Sequence, residues 1–291
     1  MKSRDSFLES GFPIQPDQSD PKASRRRRKV RFRTIWISDV HLGTTDCQSA
    51  RLLEFLRATE SDTLYLVGDV IDGWQLQRRW YWDQSHNNVV QAILKKAKKG
   101  TEVIFVPGNH DEAVRQFIGL DFGGIKIRDE LVHVTAQGKR MLVLHGDRFD
   151  GGMACAKWLA YVGDSLYMMI LKFNQLFNHF RRRSGRPYWS LSQYIKSKIK
   201  NAMRYIASFE NMLAAEAKRQ GLDGVICGHI HKPEMRDIGG ITYCNDGDWV
   251  ESLSALVEEF SGELRLVDWQ EIVMPLQDVL SKSMNRTEAV S

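Results

Sequence analysis

Five short apolar runs, each halted by a polar turn that carries acid, amide or imidazole side chains, constrain this chain more than anything else in it. Residues 34–38 stop at Asp39-Val40-His41, and residues 63–67 stop at Gly68-Asp69-Val70-Ile71-Asp72. Residues 102–106 stop at Pro107-Gly108-Asn109-His110-Asp111, residues 141–144 at His145-Gly146-Asp147, and residues 224–227 at Gly228-His229-Ile230-His231. Apolar runs this short, bounded by turn residues, read as strands buried on both faces. Helical patterns separate them over residues 47–58 and 82–98. In the second, Val89, Val90, Ile93, Leu94 and Ala97 keep helical spacing, lysines gather at the carboxyl end, and Gly100 ends it. Alternating strands and helices predict α/β sheet layers. Beyond His231 the pattern turns to strands only, over residues 235–238, 241–244, 254–260 and 264–267, with Gly239-Gly240 and Ser261-Gly262 as turns.

In an open α/β sheet the loops at the carboxyl ends of the strands share one crevice. The polar turns should therefore meet, although they are far apart in sequence. Five of the eight histidines (His41, His110, His145, His229 and His231) fall in these loops, whereas His86, His133 and His179 do not. Carboxylate, imidazole and amide oxygen together suit Mn²⁺, Fe or Zn²⁺ better than Mg²⁺. Two divalent ions about 3.5–4 Å apart, bridged by a carboxylate, form a clamp for in-line displacement at phosphorus. A single D-x-H or G-N-H-D is ordinary turn chemistry. All five turns in this order, each directly after an apolar strand, make a metal site.

Composition limits the alternatives. At 291 residues, 43% apolar and 26% charged, the chain can bury a sizeable core and is neither fibrous nor wholly disordered. No apolar stretch reaches the roughly 18–20 residues of a spanning helix, and residues 1–20 lack a signal-peptide apolar core. The expected location is the cytosolic side, with peripheral contact to the inner membrane. The cysteines form no C-x-x-C pair, and Cys227, inside an apolar run, reads as a buried thiol.

The net charge of +5 is unevenly placed: residues 1–33 hold ten bases and four acids, which leaves residues 34–291 at −1. Residues 1–32 read as a disordered basic tail, residues 33–270 as the folded body and residues 271–291 as a second tail. Within the body, residues 151–220 break the alternation with two helical stripes. One runs from Leu159 to Phe180, and the other holds Ile195, Ile199, Met203, Ile206, Phe209 and Leu213. From Ser165 to Phe209 there is no acid against nine bases, Arg181, Arg182 and Arg183 among them. An apolar stripe with a basic face fits a helix pair lying on an anionic membrane. It also fits a core-packing pair with a solvated basic face.

The ordered motifs D-x-H, G-D-x-x-D, G-N-H-D, H and G-H-x-H resemble those of the calcineurin-like metallophosphoesterases over roughly residues 34–250. That resemblance implies a four-layer α/β/β/α sandwich with the inserted helical pair as a lid. It implies that Asp39, His41, Asp69 and His231 hold one divalent ion and that Asp69, Asn109, His145 and His229 hold a second, with Asp69 bridging. Mn²⁺ is the expected metal, with Fe or Zn as alternatives, and water activated between the ions is the implied nucleophile. His110 would act on the phosphoryl group without ligating metal, oriented by Asp72.

Within the family, the helical insertion, the His145-Gly146-Asp147 triplet and the length resemble the UDP-2,3-diacylglucosamine pyrophosphatase group. Members of that group carry Arg after the metal-binding Asn where this chain has His110, which marks a divergent branch. The implied reaction splits a UDP-sugar-lipid into UMP and lipid X in lipid A synthesis. The alternative is another phosphoester, from a nucleotide, nucleic acid or phosphoprotein. Arg78, Arg79, Trp82, Arg181, Arg182 and Arg183 are the expected substrate contacts. The expected partners are a nucleotide-linked lipid and an anionic membrane, with no protein partner and nucleic acid the less favoured ligand. A non-catalytic module should have lost ligands, and here all seven positions are filled.

Overall fold

The computed structural model of the chain describes residues 29–150 and 191–275. The expected basic tail up to residue 28, the first helix of the insertion, and Arg181, Arg182 and Arg183 lie outside the described residues. In chain order the strands are β1 (Val30–Ile37), β2 (Thr59–Val67), β3 (Glu102–Val106), β4 (Asp121–Phe122), β5 (Ile125–Ile127) and β6 (Leu131–Val134). They continue as β7 (Arg140–Val143), β8 (Gly224–Cys227), β9 (Glu234–Ile238), β10 (Ile241–Asn245), β11 (Ser254–Glu258) and β12 (Leu264–Asp268). The helices are α1 (Ser49–Ala58), α2 (Gly73–Arg78), α3 (Gln84–Lys98) and α4 (Leu191–Arg219).

Two sheets form. One has seven strands in the order β12-β11-β1-β2-β3-β5-β4, and the other five in the order β6-β7-β8-β10-β9. β1, β2, β3 and β5 run parallel in the first, as do β7, β8 and β10 in the second. Both faces of these strands are covered, which is why their sequences are apolar without alternation. On β1, Ile35 and Ile37 pack with Leu52, Phe55, Val89 and Ile93 of α1 and α3. Trp36 points the other way, into a cluster with Tyr65 of the same sheet and Val143, Ile226 and Cys244 of the other. On the far side of the second sheet, Phe209 and Leu213 of α4 pack on Val225 and Tyr243. The layers are α1 and α3, first sheet, second sheet, α4, as expected. Fully burying Phe209 and Leu213 contributes about 1.5–3 kcal/mol each.

Several expected features shift. α4, the described half of the insertion, forms the fourth layer of the sandwich over the residues from Tyr205 onward. Met203, placed on its apolar stripe, is 52% exposed, whereas Tyr205, Ile206 and Phe209 beyond it are buried. The folded body begins before residue 33: β1 starts at Val30, paired with Thr59, and Phe32 is buried. β2 starts at Thr59, not 63, because its polar first turn-length completes the ladder to β1. At the other end residues 269–275 are helical, and Ile272 and Val273 join the core beneath α1. β4, β5 and β6 escaped the sequence reading because strands of two to four residues show no period.

The sheets are fastened together by a buried carboxylate. Glu258 on β11 accepts from Arg33 and Thr34 of β1 (2.6 and 2.9 Å), while His133 of β6 stands 2.9 Å away and the Ala136 N–H donates to its other oxygen at 2.7 Å. Burial opposes the charge, but these donors outweigh it and hold the Glu258 carboxyl down at about 2. Its ordinary value is 4.5, so its contribution is complete above that pH and fades as pH falls toward 2. Glu258→Gln should therefore cost about 3 kcal/mol at pH 7 in metal-free urea unfolding, narrowing to about 1 kcal/mol by pH 3. A constant difference across that range would show that the carboxylate is not the fastening.

Candidate metal centre

The carboxyl ends of the parallel strands in both sheets deliver the polar residues. β1 leads to Asp39 and His41, β2 to Asp69 and Asp72, β3 to Asn109 and His110, β7 to His145, and β8 to His229 and His231. Backbone hydrogen bonds tie these turns to one another: Asp39 N–H donates to Gly68 O (3.0 Å), His41 N–H to Asp69 O (2.9 Å), and Gly73 N–H to His110 O (2.9 Å). Asp111 locks two more, its carboxylate accepting from Gly108 N–H (2.6 Å) and Val70 N–H (2.8 Å).

The turns are strained at the residues that matter. Among the described residues, six non-glycines have positive φ, and five of them are Asp39, His41, Asp69, His229 and His231. A left-handed backbone costs an L-residue on the order of 1–3 kcal/mol and persists where the surroundings over-determine it. The turns are also tightly nested. A Cβ on Gly68 would lie 2.2 Å from His145 Nδ1, and one on Gly108 would lie 2.3 Å from Asp69 Oδ1.

Two clusters result. Asp39, His41 and His231 offer ligand atoms within 4.8 Å of one another, and so do Asp69, His145 and His229. His231 Nε2 is 2.9 Å from Asp39 Oδ1, His41 Nε2 is 3.4 Å from His231 Nε2, and His145 Nε2 is 3.3 Å from Asp69 Oδ2. Asp39 Oδ1, Asp69 Oδ2, Asn109 Oδ1 and His145 Nε2 are buried and make no hydrogen bond. Orphaned buried polar atoms are costly, and those of Asp39, Asp69 and His145, which belong to the two clusters, fit divalent cations. The ring nitrogens facing away are occupied: His145 Nδ1 donates to Val67 O at 2.8 Å, and His41 Nδ1 meets Asp72 Oδ2 at 3.0 Å. Such partners fix the tautomer and leave Nε2 for a metal.

Electrostatics agree. Burial alone would lower the His145 imidazolium, but the Asp69 and Asp39 carboxylates hold it up at about 10, and Asp39 and Asp72 hold His41 at about 9. Burial opposes ionisation of Asp39 and Asp69 as well, yet the histidines keep both carboxyls well below the usual range. A cation arriving here replaces protons, one positive charge standing in for another.

His110 stands beside these clusters. Its Nδ1 is 3.0 Å from Asp72 Oδ2, its Nε2 is 4.0 Å from Asp69 Oδ2, and its backbone N–H donates to Asp69 Oδ1 at 2.8 Å. The expected Asp72–His110 pair is thus in contact, and Asp72 serves His41 with the same oxygen. Its other oxygen caps α2 through Gln75 N–H at 2.8 Å. A ring nitrogen of His110 also lies within 4.8 Å of ligand atoms of His41 and Asp69. Arg78 and Arg79 are exposed at the end of α2, one short helix away. Trp82 packs at the start of α3, where its Nε1 donates to Asn87 at 2.9 Å and its ring meets His86 edge-on.

Sequence reasoning missed three residues. Trp74, 42% exposed on α2, lies over His110 with ring centroids 4.3 Å apart. Asp150 stands 3.2 Å from His229 Nε2. Ser38 touches Asp39 at 2.7 Å. The only sequence signal for the first and last is adjacency to the D-x-x-D and D-x-H motifs. Cys227 and Cys244 are free and buried, as expected for Cys227.

Curated proteins resemble the chain along most of its length. The UDP-2,3-diacylglucosamine hydrolase of Chromohalobacter salexigens is 27% identical over 228 residues, covering 70% of this chain and 82% of that protein. The protein of the same name from Xanthomonas campestris pv. campestris is 27% identical over 251 residues, covering 79% and 96%. That of Neisseria meningitidis serogroup B is 25% identical over 242 residues, covering 76% and 92%. Among solved structures, an archaeal phosphodiesterase aligns with a TM-score of 0.39 at 11% identity, over 80% of this chain and 98% of that one. A phosphoesterase from E. coli aligns with a TM-score of 0.36 at 16% identity, over 82% and 98%. The calcineurin-like phosphoesterase family matches residues 32–233, the span that runs from β1 through both metal clusters. The chain belongs to the calcineurin-like phosphoesterase family, and it is a hydrolase.

Proposed function

We propose that this hydrolase splits the diphosphate of UDP-2,3-diacylglucosamine or a close relative, using two divalent cations, with Mn²⁺ the preferred metal. The observation that carries the reaction type is the pair of buried Asp/His clusters sharing one rim, with Asp69 between them. The substrate class rests on the relatives named UDP-2,3-diacylglucosamine hydrolase, which match 70–79% of the chain. Asp39, His41 and His231 would hold one cation, and Asn109, His145 and His229 the other, with Asp69 shared between the two sets. When bound, such a pair polarises the phosphoryl oxygens and lowers the pKa of water toward about 7, supplying a nucleophile at neutral pH.

The chain's own groups do the rest. Asp72, ionised because the neighbouring His110 and His41 rings outweigh its burial, places its carboxylate 3.0 Å from His110 Nδ1 and favours a proton on that nitrogen. His110 then presents Nε2 to the reacting phosphoryl group, holding a proton for the leaving oxygen. Trp74 covers the other face of that ring, which limits the direction from which substrate approaches. Arg78 and Arg79 extend the positive charge outward from the rim, where a diphosphate or an anionic lipid surface would lie. Among the described residues no helix is long and apolar enough to cross a membrane.

The direct test is hydrolysis by the Mn²⁺-loaded protein of UDP-2,3-diacylglucosamine, against UDP-glucose, cyclic nucleotides and bis-p-nitrophenyl phosphate. UMP released fastest from the diacylated substrate is the expected result, and equal or faster turnover of a nucleotide without acyl chains would reassign the substrate. Asp69→Asn should strip Mn²⁺ and abolish hydrolysis of every substrate while circular dichroism stays native. Full metal content with near-wild-type turnover in that variant would refute the bridging role. His110→Ala should keep its metal yet lose about 10²–10⁴ in kcat, and a large fall in bound Mn²⁺ would make His110 a ligand instead.

A further inference from the structure

Beneath the metal centre lies a second carboxyl that the mechanism does not use. Asp246, directly after β10, is 0% exposed, and its Oδ1 is 2.6 Å from Ser38 Oγ. The same hydroxyl is 2.7 Å from Asp39 Oδ2 and 3.1 Å from Gly247 O. One hydroxyl thus faces three acceptor oxygens, yet it has a single proton to donate. If both carboxyls were ionised, one of them would meet an oxygen at under 2.8 Å with no proton between. Asp39 is the group that must be ionised, since its Oδ1 faces His41 and His231 and its Oδ2 also accepts the His229 N–H at 2.8 Å.

We propose that Asp246 is a positioning residue of the metal centre, a neutral carboxylic acid that donates to Ser38 so that Ser38 donates to Asp39. The chain Asp246 O–H to Ser38 O–H to Asp39 Oδ2 gives each close contact one proton. It holds one oxygen of Asp39 and thereby aims the other, Oδ1, at the cation. Three further features agree. Asp246 Oδ2 is buried without any hydrogen bond, which a neutral carbonyl oxygen tolerates far better than half of a carboxylate. Burial, with the Asp39 charge nearby, pushes the Asp246 carboxyl well above its ordinary value, although Ser38 and His145 pull it down. The turn is also rigid: Asp246 N–H donates to Cys227 O at 3.1 Å, and Asn245 Nδ2 donates to Gly228 O at 2.6 Å, which ties β10 to the β8 turn carrying His229.

The inference rests on the metal-centre reading, and metal binding itself is therefore the readout. Equilibrium dialysis against Mn²⁺, with metal content and near-UV circular dichroism on the full chain, separates the cases. Asp246→Asn, whose amide N–H can replace the acid proton, should bind Mn²⁺ within about threefold of wild type. Asp246→Ala and Ser38→Ala should each weaken one of the two Mn²⁺ sites by about 10–100-fold, the usual effect of losing a partner of a ligand. The double variant should be no worse than either single one, because both break the same chain. If Asp246 were ionised, Asp246→Asn would remove a negative charge beside the cations and weaken binding as much as Asp246→Ala. That result overturns the proposal, as does wild-type affinity in both alanine variants. Should Asp246→Ala fail to fold, Asp246→Asn and Ser38→Ala still decide it. A wild-type chain that takes up no Mn²⁺ overturns the metal-centre reading together with this one.

Discussion

The carboxylate of Asp69 is the point on which the rest of this site depends. One oxygen accepts the His110 backbone N–H, so the β2 and β3 turns cannot move independently. The other is buried without a hydrogen bond, 3.3 Å from His145 and 4.0 Å from His110. Holding it there requires a left-handed backbone at Asp69 and bare glycines at 68 and 108, where any side chain would collide with it or with His145. A carboxylate taken this far from water is unfavourable by itself. Positive charge beside it, imidazolium or cation, offsets that cost.

Each candidate cation position straddles the two sheets. Asp39 and His41 come from the first sheet and His231 from the second; Asp69 comes from the first, and His145 and His229 from the second. Closing the sandwich and assembling the centre are therefore one structural event. Two buried acids brace that closure from inside. Glu258 joins β11 and β1 to β6 through paired charges, and Asp246 joins the end of β10 to the end of β1 through Ser38. Their chemistry differs for a physical reason. Glu258 meets Arg33, a His ring and a backbone N–H and stays charged, whereas Asp246 has one hydroxyl partner and a neighbouring anion.

The meeting of the candidate ligands was legible because each motif follows a strand whose length and apolarity mark its end. A parallel strand order then makes convergence obligatory. The surroundings of the site were far less legible. Trp82 and Trp74 look equivalent on the chain, yet α2 turns Trp74 over His110 while Trp82 folds under α3. The apolar stripe from Ile195 to Leu213 reads equally well as a membrane face or a core face. From Tyr205 onward the second sheet, with Val225 and Tyr243 waiting, makes it core.

Local chemistry written into the sequence determined the strands, their order of motifs and the candidate metal-binding side chains, since a period and a turn residue act within a few positions. Which residues brace that centre was decided only by the tertiary structure. Ser38 and Asp246 are 208 positions apart, and neither belongs to a motif. Their hydrogen bond exists because two sheets pack face to face and bring the ends of β1 and β10 together where water cannot reach. Burial then turned an ordinary turn aspartate into a group that must find a proton, and no pattern along the chain encodes burial between distant strands.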